Sequence, residues 1–344
     1  MDPVAISLLV IAFIVAFAIG SNDETMSPAV GAHVFTVRTA VVIGAFINLI
    51  GAISLGGGVS EKVGSDLVTG NDLTTQMVFA ILISMTIWLL IASATKGLPI
   101  STTQCIVGSV IGVAIAAPFI SGSAWGAEAI NSAVIFEILA GWIISPLIGF
   151  FIAALIFWGV RKLQQRATGL SGRERQEQIA AYGLAVFLLI TGLSRGGNDV
   201  ANAVAPLVNH SLFSTPLVIG SFSIPGFYAP LIVGGLGMGF GLIIIGRKVI
   251  KVLATEVVTL SPSSALSASI SVALIMFVGT YFGLPLSGTH VLVAALIAVG
   301  FVAKEKVRMK QVKAIIISWV ITVPISLIVA VPVFALIQYL VPVI

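Results

Sequence analysis

The chain has 344 residues, of which 58% are hydrophobic and only 9% are charged. This composition, with a mean hydropathy of +1.16, excludes a water-soluble globular protein and is typical of a polytopic membrane protein. The formal charge of +4 does not indicate nucleic-acid binding, because the basic residues lie mostly in short clusters between apolar segments. The single cysteine, Cys105, excludes an intrachain disulfide and a thiolate metal site, so no cofactor is predicted.

Apolar segments long enough to cross a bilayer recur along the chain, on the criterion of about 20 residues. The first is expected to be a retained membrane span, because Asp2 stands where a signal peptide would have basic residues. Two shorter segments, 104–120 and 290–302, each follow a Gly-Leu-Pro turn and predict half-helices or re-entrant hairpins. The long segments are 4–20, 39–58, 76–95, 133–160, 180–195, 229–246, 265–282 and 314–342, and the last has room for more than one crossing.

Two motifs occur in both halves of the chain, in the same order. Gly-Ser-Asn-Asp at 20–23 matches Gly-Gly-Asn-Asp at 196–199. GLPISTTQ at 97–104 matches GLPLSGTH at 283–290. Because two separate motifs recur with nearly equal spacing, the sequence predicts an internal repeat.

The repeat divides the chain into residues 1–160 and 179–344, joined by a polar segment at 161–178 that is predicted to be a cytoplasmic linker. Basic residues are distributed oppositely in the two halves: Arg38 has an uncharged counterpart, whereas the basic segment 304–313 matches a first-half loop without basic residues. If basic loops face the cytoplasm, equivalent loops lie on opposite sides of the membrane. The sequence therefore predicts an all-α polytopic membrane protein of two inverted-topology repeats, with broken helices and re-entrant helical hairpins.

The Asn-Asp motifs predict a cation site. A carboxylate near the bilayer centre costs at least about 2.5–3.5 kcal/mol, so it needs a cation, a proton or strong hydrogen-bond donors. Asp23 and Asp199 lie next to small residues, where a helix is expected to break and expose carbonyl oxygens, which are hard ligands that suit a small alkali cation. The alternative is that one of these acids pairs with Arg195 or caps a helix. The predicted cation ligands are Asn22, Asp23, Asn198, Asp199, Ser101 and Ser287.

The Gly-Leu-Pro motifs predict an anion site. Each places hydroxyl residues at the start of an apolar helix, which makes Ser101 and Ser287 natural N-caps. Free N–H groups and the positive end of the helix dipole attract anions there. The alternative is ordinary capping, in which the hydroxyls bond only to their own helix. The predicted substrate-binding residues are Ser101, Thr102, Thr103, Gln104, Ser287, Gly288, Thr289 and His290.

Two residues of these motifs have no assigned role. His290 stands where the first half has Gln104, and either an anion donor or a hydrogen-bonded structural histidine fits the pattern. Glu24 stands where the second half has Val200, so it either binds a cation or pairs with a neighbour.

Together, GSND with GGNDVANAVAP, and GLPISTTQ with GLPLSGTH, resemble the inorganic phosphate transporter family, whose duplicated signature centres on Gly-Ala-Asn-Asp-Val-Ala-Asn-Ala. The resemblance spans nearly the whole chain. It implies cation-coupled phosphate uptake through two inverted repeats, driven by sodium in some members and by protons in others. Carried over by motif, the signature residues are Asn22, Asp23, Asn198, Asp199 and Asn202. The first copy departs from the signature, because Met26 stands where the second copy has Asn202.

The predicted function is secondary active import of inorganic phosphate, coupled to sodium by alternating access, in the cell (inner or plasma) membrane. The expected partners are inorganic phosphate, sodium ions as co-transported ligands and the lipid bilayer, with no nucleic acid; a homo-oligomer is left open. Proton coupling and sulfate transport are alternatives within the family, and a passive anion channel is a further one. A hydrolase using Ser101 or Ser287 with His290 is not predicted, because the chain shows no residues to orient such groups.

Overall fold

Twelve α-helices make up most of the described part of this computed structural model, which covers residues 3–65, 73–95, 97–123, 125–166, 169–208, 211–219, 222–284 and 286–340. Short 3-10 turns lie at Ala127–Ala129 and Ser211–Phe213, and a π-helical turn at Leu242–Gly246 joins α8 to α9. The helices are α1 Pro3–Ser21, α2 Ser27–Gly31, α3 Val37–Ser65, α4 Thr75–Thr95, α5 Thr102–Ile120, α6 Ser132–Gln165, α7 Gly169–Val208, α8 Tyr228–Gly241, α9 Arg247–Glu256, α10 Pro262–Tyr281, α11 Gly288–Ala303 and α12 Met309–Leu340.

Nine helices within the described ranges are long and apolar enough to cross a membrane, which makes the chain a multi-pass membrane protein, as predicted. The segment 314–342 has room for more than one crossing, but its described part, 314–340, lies within the single continuous helix α12. The short segment 104–120 lies in α5, which has 19 residues and is long enough to span. The apolar helix α11, with 16 residues, is shorter than a full crossing.

One element falls outside the all-helical prediction. A short antiparallel hairpin pairs β1, Leu217–Ile219, with β2, Phe222–Ile224. It lies in the loop between α7 and α8, whose length exceeds that of the other connections, so the backbone there bonds to itself instead of extending a helix.

The order of helices repeats along the chain. In each half, a helix that runs into or through the Asn-Asp motif is followed by a long helical segment, with the short α2 between them in the first half, and then by a hairpin of two helices and a long final helix. Thus α1, α3, α4, α5 and α6 correspond to α7, α8 with α9, α10, α11 and α12. The final helices are exchanged: α6 packs on α10 and α11 of the second half, and α12 packs on α4 and α5 of the first.

Equivalent helices α3 and α8 pack against each other in opposite directions. Gly44, near the start of α3, lies against Leu242 just beyond the end of α8, and Gly56 lies against Leu231 near the start of α8. Small residues allow this close approach, as is usual between membrane helices. Helices α3 and α8 therefore run antiparallel.

The two Asn-Asp motifs differ in local structure. In the first half the helix breaks as predicted, since α1 ends at Ser21 and α2 begins at Ser27. In the second half the predicted break is wrong, because α7 continues through Asp199 to Val208. An ion pair between Arg195 and Asp199, one turn apart on α7, provides the physical reason: the acid finds its partner on its own helix.

The polar segment 161–178 contains the end of α6 and the start of α7. Within it, Ala167 and Thr168 lie outside the described residues. Glu177 accepts hydrogen bonds from the backbone N–H and the hydroxyl of Ser263, at 2.9 and 2.7 Å, which fixes α7 to the start of α10. Its cytoplasmic position stays a prediction.

Candidate functional site

The two helical hairpins turn inside the protein. Ser101 caps α5, accepting from the N–H of Gln104 at 3.3 Å, and Ser287 caps α11, accepting from the N–H of His290 at 3.4 Å. Both serines are buried, as are the residues that follow them. The capping predicted from the sequence is therefore present in both halves, and each cap lies in the core rather than at a membrane surface. Pro285 of the second turn lies outside the described residues.

The two hairpin tips contact each other and the second Asn-Asp motif. The Thr103 hydroxyl donates to the backbone carbonyl of Leu286 at 3.1 Å, so it joins the tip of one half to the tip of the other. The Thr102 hydroxyl donates to Asp199 Oδ1 at 3.2 Å. Two hydroxyl protons that the sequence assigns to an anion are thus directed at protein acceptors in this conformation.

Asn22 fastens the first hairpin tip to the break after α1. Its amide nitrogen donates to Ser93 Oγ at 2.9 Å and to the carbonyl of Leu98 at 3.0 Å, and its oxygen accepts from the N–H of Ile100 at 2.9 Å. An amide oxygen has two lone pairs, so one acceptor position remains. Asn22 positions the tip, and its role as a cation ligand stays a prediction.

Asn198 makes the equivalent contact in the second half but keeps its oxygen free. Its amide nitrogen donates to the carbonyl of Leu284 at 2.9 Å, which matches the contact between Asn22 and Leu98. Its Oδ1 is buried and accepts no hydrogen bond from any residue that the structure describes. A buried acceptor without a donor is expensive, so this oxygen fits a cation ligand well.

Asp23 is buried among neutral donors. Its Oδ1 accepts from the N–H and the hydroxyl of Thr25 at 2.9 and 2.5 Å, and its Oδ2 accepts from the Asn48 amide at 2.7 Å. The side chain is only 2% exposed, and none of its hydrogen-bond partners among the described residues is cationic. This carboxylate is therefore hydrogen-bonded but not charge-compensated.

Arg195 pairs with two acids at once. Its Nη1 lies 2.6 Å from Glu24 Oε1, and its Nη2 and Nε lie 2.9 and 3.0 Å from Asp199 Oδ2. All three side chains are buried. With Asp23, the described part of the core holds three carboxyl groups and one guanidinium, a formal net charge of two negative units when all are ionised.

The sequence left open whether Glu24 pairs with a neighbour but did not identify Arg195 as the partner, although the two motif copies carried a signal for it. Arg195 stands where the first copy has Ile19, and Glu24 stands where the second copy has Val200. Each copy thus gains one charge that the other lacks. The two departures from the repeat contact each other in space, which explains why both are tolerated in a buried site.

The remaining predicted substrate residues surround the tip of α11. Gln104 Oε1 and His290 Nε2, at equivalent positions of the two halves, are buried and have no hydrogen-bond partner among the described residues. The His290 ring lies 4.0 Å from the ring of Trp319. Gly288 packs directly against the Arg195 side chain, and a Cβ at this glycine would come within 2.4 Å of Arg195 Cδ. The side chain of Asn202 is outside the described part of the chain.

No three His, Cys, Asp or Glu side chains within the described ranges lie close enough together to share one metal ion. A cation in this core must therefore take most of its ligands from amide, hydroxyl and backbone oxygens. That ligand set is typical of a hard monovalent cation and not of a transition metal.

Comparison with known proteins gives the same family as the motifs. A family model described as the phosphate transporter family matches residues 19–330. The chain belongs to the phosphate transporter family. Its members are transporters and not enzymes, which agrees with the sequence prediction and removes the hydrolase alternative.

Relatives of this phosphate transporter family member match over nearly its full length. A protein described as a phosphate permease from Thermococcus kodakarensis is 28% identical, over 95% of this chain and 96% of its own. The chloroplastic inorganic phosphate transporter 2-1 of Arabidopsis thaliana is 25% identical, over 92% of this chain and 69% of its own. A solved structure titled as the sodium-dependent phosphate transporter is 25% identical and superposes with a TM-score of 0.83, covering 99% of this chain and all of its own.

Proposed function

We propose that the protein imports inorganic phosphate together with sodium ions by alternating access, as a secondary transporter built from two inverted repeats. The observation that carries the proposal is the meeting of the two hairpin tips beside three buried carboxylates with one guanidinium. The core thus contains two helix N-termini that can bind an anion, and an excess of negative charge that can bind cations. The family and the printed name of the solved relative support phosphate and sodium as the two ligands.

Inverted topology is supported by the direction and order of the helices. The five elements of each half recur in order, and the equivalent helices α3 and α8 run antiparallel. Arg38 at the start of α3 lines a surface cavity together with Arg247, Lys248 and Lys251 of α9. Basic residues from loops that are not equivalent in the repeat therefore lie on the same face of the protein. By the positive-inside rule this face is cytoplasmic, and the protein is proposed to lie in the cell membrane.

Sodium coupling is supported by the charge of the core. The excess of negative charge in this low-dielectric centre favours the binding of cations, and it repels a bound oxyanion. Sodium bound near Asp23 and the free oxygen of Asn198 would remove that repulsion. Each ligand then raises the affinity for the other, which is the thermodynamic basis of coupled transport.

The anion is proposed to bind between the two hairpin tips, in a conformation that gives the anion access to them. The first turns of α5 and α11 carry N–H groups without helical partners, and the positive ends of both helices lie close together, because Thr103 at the start of α5 contacts Leu286 just before α11. On anion binding, the hydroxyls of Thr102 and Thr103 would stop donating to protein acceptors and donate to the anion instead. The interior therefore has acceptors that hold these donors in place when the anion is absent.

Uptake into proteoliposomes tests the proposal. With an inward sodium gradient, we expect the reconstituted protein to accumulate radiolabelled phosphate above its external concentration, and with choline in place of sodium we expect no accumulation. The same assay with a proton gradient and with labelled sulfate separates the alternatives of cation and substrate. Phosphate flux that runs only down its own gradient, without dependence on sodium or protons, would contradict the proposal and favour a passive channel.

A further inference from the structure

Glu24 has one carboxylate oxygen that the ion pair does not use. Its Oε1 lies 2.6 Å from Arg195 Nη1, whereas its Oε2 is buried and accepts no hydrogen bond from any residue that the structure describes. The residue is completely buried. An ionised carboxylate is an acceptor only, and leaving one of its oxygens unpaired in the interior is costly. An additional hydrogen-bond donor would therefore stabilise this oxygen.

The unpaired oxygen lies close to the anion end of the site. Arg195 joins Glu24 to the first residue of α11, because a Cβ on Gly288 would come within 2.6 Å of Arg195 Nη1. A guanidinium has five N–H donors, and the contacts to Glu24 and Asp199 use three of them. Two donors thus remain on a cation that touches the tip of a hairpin, with an unpaired carboxylate oxygen beside it.

The chemistry of such a pair distinguishes tetrahedral oxyanions by their protons. Phosphate and arsenate retain at least one proton at neutral pH and can donate an O–H to an acceptor, whereas sulfate and selenate are fully deprotonated and have none to donate. A carboxylate opposite the O–H gains a charged hydrogen bond, and the same carboxylate opposite a bare sulfate oxygen repels it.

We infer that Glu24 is the residue that selects protonated oxyanions over unprotonated ones. The O–H of bound phosphate donates to Glu24 Oε2, while Arg195 donates its two remaining N–H groups to the unprotonated phosphate oxygens. The inference rests on the proposed function and adds to it the choice between phosphate and sulfate, which the family motif leaves open. Val200 occupies the equivalent position in the second half, so the selection comes from one half alone.

Gln104, which also has a buried oxygen without a described partner, does not provide the same selection. An amide carries both an acceptor and two donors, and rotation about its last bond exchanges them. It therefore accommodates a protonated and an unprotonated oxygen equally. Only a carboxylate with no donor of its own, such as Glu24, discriminates between them.

Competition in wild-type proteoliposomes tests the inference without any substitution. Arsenate and selenate are similar in size and shape but differ in their protons. We expect arsenate to inhibit sodium-driven phosphate uptake at least about tenfold more strongly than selenate, because only arsenate has an O–H that can donate a hydrogen bond to the Glu24 carboxylate. Equal inhibition by the two would overturn the role of Glu24, while phosphate uptake itself would still support the proposed function.

Glu24→Gln then tests the residue directly. We expect it to raise the half-saturating phosphate concentration about tenfold or more and to lower that for selenate inhibition, because the amide can donate to an unprotonated oxygen. Glu24→Asp, which keeps the charge, should retain the preference for arsenate. Glu128→Gln, the same change at an exposed position, serves as the control. If Glu24→Gln lowers the maximal uptake rate but leaves the ratio of arsenate to selenate inhibition unchanged, Glu24 only positions Arg195 and the inference is wrong.

Discussion

Asp23→Asn should abolish sodium-driven phosphate uptake while raising the free energy of unfolding measured without sodium. Asp23 is buried, and its hydrogen-bond partners in the described part of the chain are all neutral, so its charge destabilises the empty protein and is stabilised by a bound cation. The amide would fit without rearrangement of the backbone. Asn48 Oδ1 has no hydrogen-bond partner among the described residues, and rotation of the Asn48 amide presents it to the new donor. We expect sodium affinity to fall about tenfold to a hundredfold.

Asp199→Asn should have the opposite effect on stability. Asp199 Oδ2 accepts two hydrogen bonds from the Arg195 guanidinium, and losing a hydrogen bond to a charged group costs about 1.5–3 kcal/mol. In this variant the buried guanidinium of Arg195 keeps only one acidic partner, Glu24. Both variants are therefore expected to lose transport, but for different reasons: one loses the cation site, and the other loses the arrangement of Arg195 between the two halves.

Thermal unfolding in detergent, in sodium and in choline, distinguishes the two variants. In wild type, sodium should raise the unfolding temperature, because it binds only the folded state. Asp23→Asn should unfold in choline at or above the wild-type temperature and show no sodium shift, whereas Asp199→Asn should unfold earlier in both salts. A normal sodium shift with near-normal uptake in Asp23→Asn would remove this residue from the cation site.

Gly288→Ala should weaken phosphate binding. A Cβ at this position would lie 2.4 Å from Arg195 Cδ and 2.6 Å from Arg195 Nη1, so the guanidinium must move. Movement breaks the contacts to Glu24 and Asp199, and it turns the remaining Arg195 donors away from the tip of α11. Alanine is a better helix former than glycine, so any loss of stability is steric and not a matter of helix propensity. We expect phosphate affinity to fall at least about tenfold.

Phosphate binding to the purified variant in saturating sodium, measured by calorimetry, checks this expectation. Gly159→Ala is the matched control, because a Cβ at Gly159 of α6 has no heavy atom within 4 Å. The control should bind phosphate as the wild type does. Normal phosphate affinity in Gly288→Ala would mean that Arg195 and the tip of α11 take no part in the anion site.

The sequence predicts the membrane fold well because each span and each cap depends on local pattern. Apolar length identifies the helices, and the serines at 101 and 287 identify the two tips, since capping involves residues only three positions apart. The repeat itself is visible because two motifs recur in order. These features need no knowledge of which helices meet.

The contacts between halves are what local pattern does not reveal. Glu24 and Arg195 are 171 positions apart, and Thr103 and Leu286 are 183 apart, so neither contact is encoded in the spacing of nearby residues. The continuity of α7 through Asp199 follows from the same ion-pair network. Comparison of the two motif copies singles out Glu24, and extending it one turn earlier would have singled out Arg195 as well, because each is a charge that its counterpart lacks.

Mutual enhancement of sodium and phosphate binding is the central claim of this account. Calorimetric titration of the purified protein measures it directly: phosphate affinity is determined with and without saturating sodium, and sodium affinity with and without saturating phosphate. We predict that each ligand raises the affinity for the other by the same factor, about 5-fold to 150-fold, because linkage between two sites is reciprocal. Phosphate affinity that is the same in sodium and in choline would contradict it.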